Sequence, residues 1–70
     1  MDMERKLANN LLTLTSLEVE IKDRYEDEWL FQEINLYKET MSFFIRNNNH
    51  ERALKESEEL VQFLISQLNF

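Results

Sequence analysis

The chain has 70 residues and contains no glycine and no proline. Glycine supplies the left-handed backbone positions of tight turns, and hairpins of the Asn-Gly type depend on it. Proline punctuates loops and strand edges. A chain without either has few means of making a strand-rich fold. Leu, Glu, Lys, Arg and Gln, the good helix formers, are abundant instead,. The expectation is helix throughout, interrupted only where Asn, Asp, Ser or Thr can turn or cap the backbone.

The apolar spacing agrees. Leu7, Leu11, Leu14, Leu17 and Ile21 step by three or four, the period of one helical face,. Leu30, Ile34, Tyr37, Met41 and Phe44 repeat the pattern, and Leu54, Val61, Leu64 and Leu68 do so again, with Ala53, Leu60 and Ile65 widening the stripe. The predicted fold is all-α and a single domain over residues 1–70. It is an antiparallel helical hairpin of about 28–46 and 50–68 with an additional N-terminal helix, either a small three-helix bundle or an extended hairpin. A break is expected somewhere in 22–28, where KDRYEDE interrupts the stripe. Thr15-Ser16-Leu17-Glu18 and Asp23-Arg24-Tyr25-Glu26 both have the spacing of a capping box. Either suits a helix start or the interior of a longer helix, so whether residues 2–46 form one helix or two stays open. The pairs Glu18–Lys22, Glu20–Arg24 and Glu51–Lys55 are oriented to support helices.

A chain this short sits near balance between apolar burial and ordering entropy, and small proteins usually add a disulfide, a metal or a partner. There is no cysteine and one histidine. Disulfides, thiolate sites and multi-histidine zinc sites are therefore excluded, and association remains. The net charge is −6, with no cluster of Lys and Arg of the kind a phosphate-rich partner requires. Neither nucleic acid nor an anionic membrane is an expected partner. No stretch approaches the length of apolar sequence that spans a bilayer, and the N-terminus carries no apolar run of signal-peptide length. The expected location is cytoplasmic.

Asn47-Asn48-Asn49-His50 reads as the turn of the hairpin. Asn is the best residue after glycine for the left-handed conformation, so Asn47 suits the end of the second helix. Asn48 or Asn49 suits the N-cap of the third. With Asn48 as cap, Glu51 falls at the third helical position, near the positive end of the dipole. His50 has no partner at metal-ligand spacing. Glu26-Asp27-Glu28 places acids at a helix N-terminus. Consecutive helical residues point about 100° apart, so the run does not converge on one ion. No metal, cofactor or small-molecule substrate is expected. Without a cysteine nucleophile, a glycine-rich phosphate loop or room for a pocket, the chain reads as no enzyme.

The aromatic residues carry more. Trp29, Leu36 and Phe43 form a second line, seven residues apart, beside the central stripe. Phe31 falls among Asp27, Glu28, Asn35 and Lys38, a polar face. Phe63 shares a line with Glu56, Glu59, Gln67 and Phe70. Aromatics flanked by charge have the look of anchors with a polar rim. Trp29, Phe31, Leu36, Phe43, Leu60, Phe63 and Phe70 are accordingly the candidate partner-contact residues.

Ile34, Lys38 and Met41 sit where the Spo0E-like sporulation phosphatases, small helical hairpins, have I-E-x-x-R-x-x-M. Ser57-Glu58-Glu59-Leu60 sits where that family has S-Q-E-L-D. The stretch 34–64 thus resembles that family, with Val61 in place of its functional Asp. In outline alone the chain is also similar to the small needle-subunit co-chaperones of type III secretion. The stretch from Phe44 to Val61 has the cadence of one tetratricopeptide hairpin.

The expected function is protein–protein interaction by a small adaptor, chaperone-like or regulatory protein, as a homodimer or hetero-complex. The alternatives are a regulatory phosphatase or inhibitor of a phosphorylated signalling protein, which the resemblance implies, and an acidic mimic of nucleic acid.

Overall fold

The computed structural model describes residues 2–69 and contains three α-helices: α1 (Asp2–Arg24), α2 (Glu28–Arg46) and α3 (His50–Leu68). There is no strand among the described residues. The long dimension of the molecule, 35 Å, is the length of α1 itself at about 1.5 Å per residue.

Cross-helix pairs give the topology. Lys38 Nζ reaches both carboxylate oxygens of Glu18 at 3.2 Å, so after the three-residue connection 25–27 α2 turns back alongside α1. Tyr37 and Phe63 meet with ring centroids 6.0 Å apart, and Arg52 lies 5.1 Å from the Phe44 ring centroid, so α3 is antiparallel to α2. Asn10 Nδ2 donates to Ser57 Oγ at 2.9 Å and Arg24 Nη1 donates to the Leu68 carbonyl at 3.3 Å. The third helix therefore runs parallel to the first, in an up-down-up bundle. It packs against both α1 and α2. The N-terminal helix lies along the hairpin and does not project from it.

The buried core is Leu7, Leu14 and Ile21 from α1, Leu30, Ile34 and Met41 from α2, and Ala53, Leu60 and Leu64 from α3. The strict seven-residue step on α1 keeps one narrow seam inward. Leu11, placed on the same stripe, lies at its edge and is 37% exposed. Ser57 is fully buried and satisfied on both sides. It accepts from Asn10 and donates to the Leu54 carbonyl at 2.6 Å. A buried hydroxyl without partners would cost roughly 1–3 kcal/mol. The Asn10 amide instead ties α1 to α3 at one register.

The break between α1 and α2 falls at residues 25–27. Asp27 Oδ1 accepts from the Trp29 and Leu30 N–H groups at 3.0 and 3.3 Å, so Asp27 is the N-cap and one member of the acidic run has a structural task. Tyr25 is held by its phenol, which donates to the Gln67 carbonyl at 2.7 Å. Neither capping-box candidate starts a helix. The first lies within α1, where Thr15 Oγ1 donates to the Leu11 carbonyl at 3.0 Å. The second ends before the true cap. Glu18–Lys22 and Glu20–Arg24 are ion pairs, at 3.2 and 3.4 Å. Glu51–Lys55 is not among the ion pairs of the described residues.

The asparagine turn differs in detail from expectation. Asn47 is the C-cap of α2 at φ −96°, and the left-handed residue is Asn48 at φ 58°. That single left-handed step lets the Asn49 N–H reach back to the Phe44 carbonyl at 2.8 Å, the closing bond of a Schellman-type end. Asn49 then caps α3, with Oδ1 accepting from the Arg52 N–H at 3.3 Å. Glu51 consequently stands at the second helical position and Arg52 at the third.

Candidate docking surface

Two apolar lines run along α2. Leu30, Ile34 and Met41 face inward. Trp29, Leu36 and Phe43 stand on the opposite side at 62%, 57% and 55% exposure. Residues seven apart are nearly two full turns apart, so the three side chains form one ridge roughly 21 Å long. Each anchor springs from backbone fixed by a neighbouring polar side chain. Asp27 holds the Trp29 N–H, Thr40 Oγ1 donates to the Leu36 carbonyl at 2.9 Å, and Asn47 Nδ2 donates to the Phe43 carbonyl at 2.7 Å. At the turn end the ridge continues into Phe44, whose ring meets Phe43 edge-on at 5.6 Å. Beside Leu36 lies a surface hollow of about 190 Å³ lined by Glu33, Leu36, Tyr37, Thr40 and Glu56. The charged rim is Glu26 and Glu28 at one end, Glu33 and Glu39 along the flanks, and Arg46 at the other end.

The other candidate contact residues are placed differently. Leu60 is 1% exposed, in the middle of the core. As a partner contact it is corrected, because α3 lies against both other helices and its central line faces them. Phe31 is half-buried and packs on the core, not on a polar face. It lies seven residues before Lys38, which reaches Glu18 of α1, so the line they share is turned towards α1. Phe63 is half-buried against Tyr37. Phe70 lies outside the described residues. Of the candidate contact residues among those described, Trp29, Leu36 and Phe43 are the ones more than half exposed. Seven-residue spacing on one helix is the signal that identifies them.

α1 has exposed apolar residues of its own that sequence reasoning missed, Leu12 at 70% and Val19 at 57%. They too are seven apart, but neither is aromatic. His50 is partly exposed, and its Nε2 lies 3.8 Å from Glu4 Oε2, a loose approach between α3 and the start of α1. No group of three or more His, Cys, Asp or Glu side chains among the described residues converges in a way that could hold a metal ion. A second hollow, about 480 Å³, is lined by Tyr37, Lys55, Glu58, Glu59 and Gln62. It is a feature of the acidic surface of α3. No helix among the described residues is long and apolar enough to cross a membrane.

Comparison with protein families, curated proteins and solved structures finds no match to this chain. Of the residues that carry the phosphatase resemblance, Ile34, Met41, Ser57 and Leu60 are buried. Lys38 is paired with Glu18, and Glu58 and Glu59 are exposed on α3.

Proposed function

We propose that the chain is a small protein–protein interaction module, an adaptor, chaperone-like or regulatory protein, that docks through the outer face of α2. One observation carries this reading. Three large apolar side chains, two of them aromatic, are more than half exposed in a heptad line on the face opposite the core. Aromatic side chains offer roughly 150–250 Å² each, so the ridge presents on the order of 300–400 Å² of apolar surface. The largest apolar patch of a monomer, at about this size, is often functional, whereas singly scattered exposed leucines need no explanation. The acids and Arg46 around it supply the polar rim that orients a partner.

The test is site-specific photocrosslinking in the host cell. The photoreactive residue benzoylphenylalanine is placed at Leu36, and in a control at Asn9, an exposed position on α1. A discrete adduct from position 36, suppressed by Trp29→Ala together with Phe43→Ala, is the expected result. Equal or absent crosslinking at the two positions overturns the reading.

A further inference from the structure

We infer that the occupant of the α2 ridge is a second copy of this chain, laid antiparallel across it on a two-fold axis at Leu36. This rests on the docking reading above and names its partner. The geometry is self-complementary. Leu36 is the midpoint of the ridge, seven residues from Trp29 and seven from Phe43. An antiparallel copy centred there places Trp29 on Phe43 at both ends and Leu36 on Leu36 between them. A two-fold interface must match its own surface in this way, residue against residue in both directions.

The charges at the ridge ends select the same arrangement. Glu26 and Glu28 flank Trp29, and Arg46 lies one turn beyond Phe43. All three are exposed, and none is in an ion pair among the described residues. Antiparallel pairing brings Arg46 of each copy to the acidic end of the other, twice per dimer. A parallel pair stacks the acidic ends on each other, and Arg46 on Arg46. Opposed helix dipoles favour the antiparallel pair as well. A polybasic partner would leave Arg46 facing like charge, whereas a second copy pairs it. Lys38, held by Glu18 of α1, takes no part in this face.

Two apolar ridges with their rims bury on the order of 1,000 Å², the size of weak and transient interfaces, so a reversible dimer is expected, sought around the micromolar range.

The experiment is sedimentation equilibrium of the full chain from about 1 µM to about 1 mM, a range chosen to bracket that affinity. The expected mass rises from 8.6 kDa to twice that value. Leu36→Glu, which sets two carboxylates face to face on the axis, holds the mass at the monomer while circular dichroism stays helical. Arg46→Glu and Glu28→Arg each weaken dimerisation by about tenfold. Combined in one chain they restore it, because the pair is re-formed with its signs exchanged. Restoration is specific to the antiparallel arrangement. A parallel dimer leaves like charges facing in every one of these variants. A wild type that stays monomeric throughout overturns the proposal, and so does a dimer whose affinity none of the three variants changes. The adduct from position 36 separates this from the broader reading. A self-adduct of doubled mass supports both, an adduct with another protein alone overturns the second copy only, and no adduct overturns both.

Discussion

Leu36 and Leu60 are the same residue type, both placed by the sequence on the partner-contact surface, and the structure separates them by burial: 57% exposed against 1%. Leu→Ala at a fully buried site loses the transfer free energy of the removed methyl groups and leaves a cavity, together about 2–5 kcal/mol. Leu60 sits in one cluster with Ile34, Met41 and Leu64, and α3 is pinned on both sides. Little collapse is therefore available, and the upper half of that range applies. A 70-residue single core rarely supplies more than about 3–5 kcal/mol in total. Leu60→Ala is therefore expected to leave the chain largely unfolded at room temperature. Leu36→Ala leaves no cavity and costs no more than about 0.5 kcal/mol in the monomer. The assay is urea unfolding followed by far-UV circular dichroism, at micromolar protein and again about a hundredfold higher. At the low concentration Leu60→Ala loses its transition and Leu36→Ala overlays the wild type. At the high concentration the wild type gains stability by mass action and Leu36→Ala does not follow it. A cooperative, wild-type-like transition for Leu60→Ala refutes the core assignment. A large loss for Leu36→Ala at low concentration refutes the claim that the ridge is spare to the fold.

Asp27→Ala and Asn49→Ala each remove a cap from a helix that cannot be lengthened, and each is expected to cost about 1 kcal/mol in the same unfolding assay. Asn48→Gly relieves the left-handed residue and is expected to hold or slightly raise stability, whereas Asn48→Val, β-branched at φ 58°, lowers it by about 1–2 kcal/mol. Asn10→Ala takes the donor from a buried hydroxyl acceptor and costs about 1 kcal/mol. Ser57→Ala costs less, because Ala is the better helix former and Asn10, only partly buried, can turn to water. A double-mutant cycle on these two residues measures their coupling, and a value near zero removes Asn10–Ser57 as the tie between α1 and α3.

The hairpin is legible in the sequence because its signals are local. Apolar steps of three and four fix the helices, and the three asparagines are the one run of three consecutive turn-capable residues in the chain. The bounds 28–46 and 50–68 follow from chemistry within a few residues of each end. What escapes a reading of the sequence is non-local. Leu60 is misplaced by it because a wide apolar stripe does not say which of its lines is innermost, and that depends on α3 lying against two neighbours at once. Phe31 is misread because the helix beside its polar neighbours is α1, more than a turn and a loop away in sequence. Ser57 gives no sign of being buried, since its partner Asn10 lies 47 residues earlier. Thr15-Ser16-Leu17-Glu18 has the spacing of a cap without the backbone of one. Trp29, Leu36 and Phe43 are legible as a line but not as an exposed one. Deciding that requires knowing that Leu30, Ile34 and Met41 fill the core by themselves.

An exposed apolar ridge on a helix is a hazard unless its pairing closes. A ridge that docked onto a different patch of the next molecule would leave that molecule's own ridge open and would propagate into filaments. Pairing about Leu36 consumes the ridge of both copies in one step, so a third molecule finds none. Leu12 and Val19 on α1 stay outside that interface, but they lack aromatic anchors. Each copy also carries a net charge of −6, with Glu51, Glu58 and Glu59 on the exposed side of α3. The repulsion between dimers then acts where the exposed apolar residues left over, Leu12, Val19 and Ile65 among them, carry no aromatic anchor. The acidic excess and the two-fold ridge are in that sense one arrangement: the ridge supplies the apolar burial that a core this small lacks, and the charge limits how far association proceeds. Raising ionic strength should strengthen the contact of two acidic chains overall, while weakening the Arg46 ion pairs at its ends. The Arg46→Glu variant has lost those pairs, so its dimerisation should gain more from added salt than that of the wild type. An equal salt response in the two proteins would place Arg46 outside the interface.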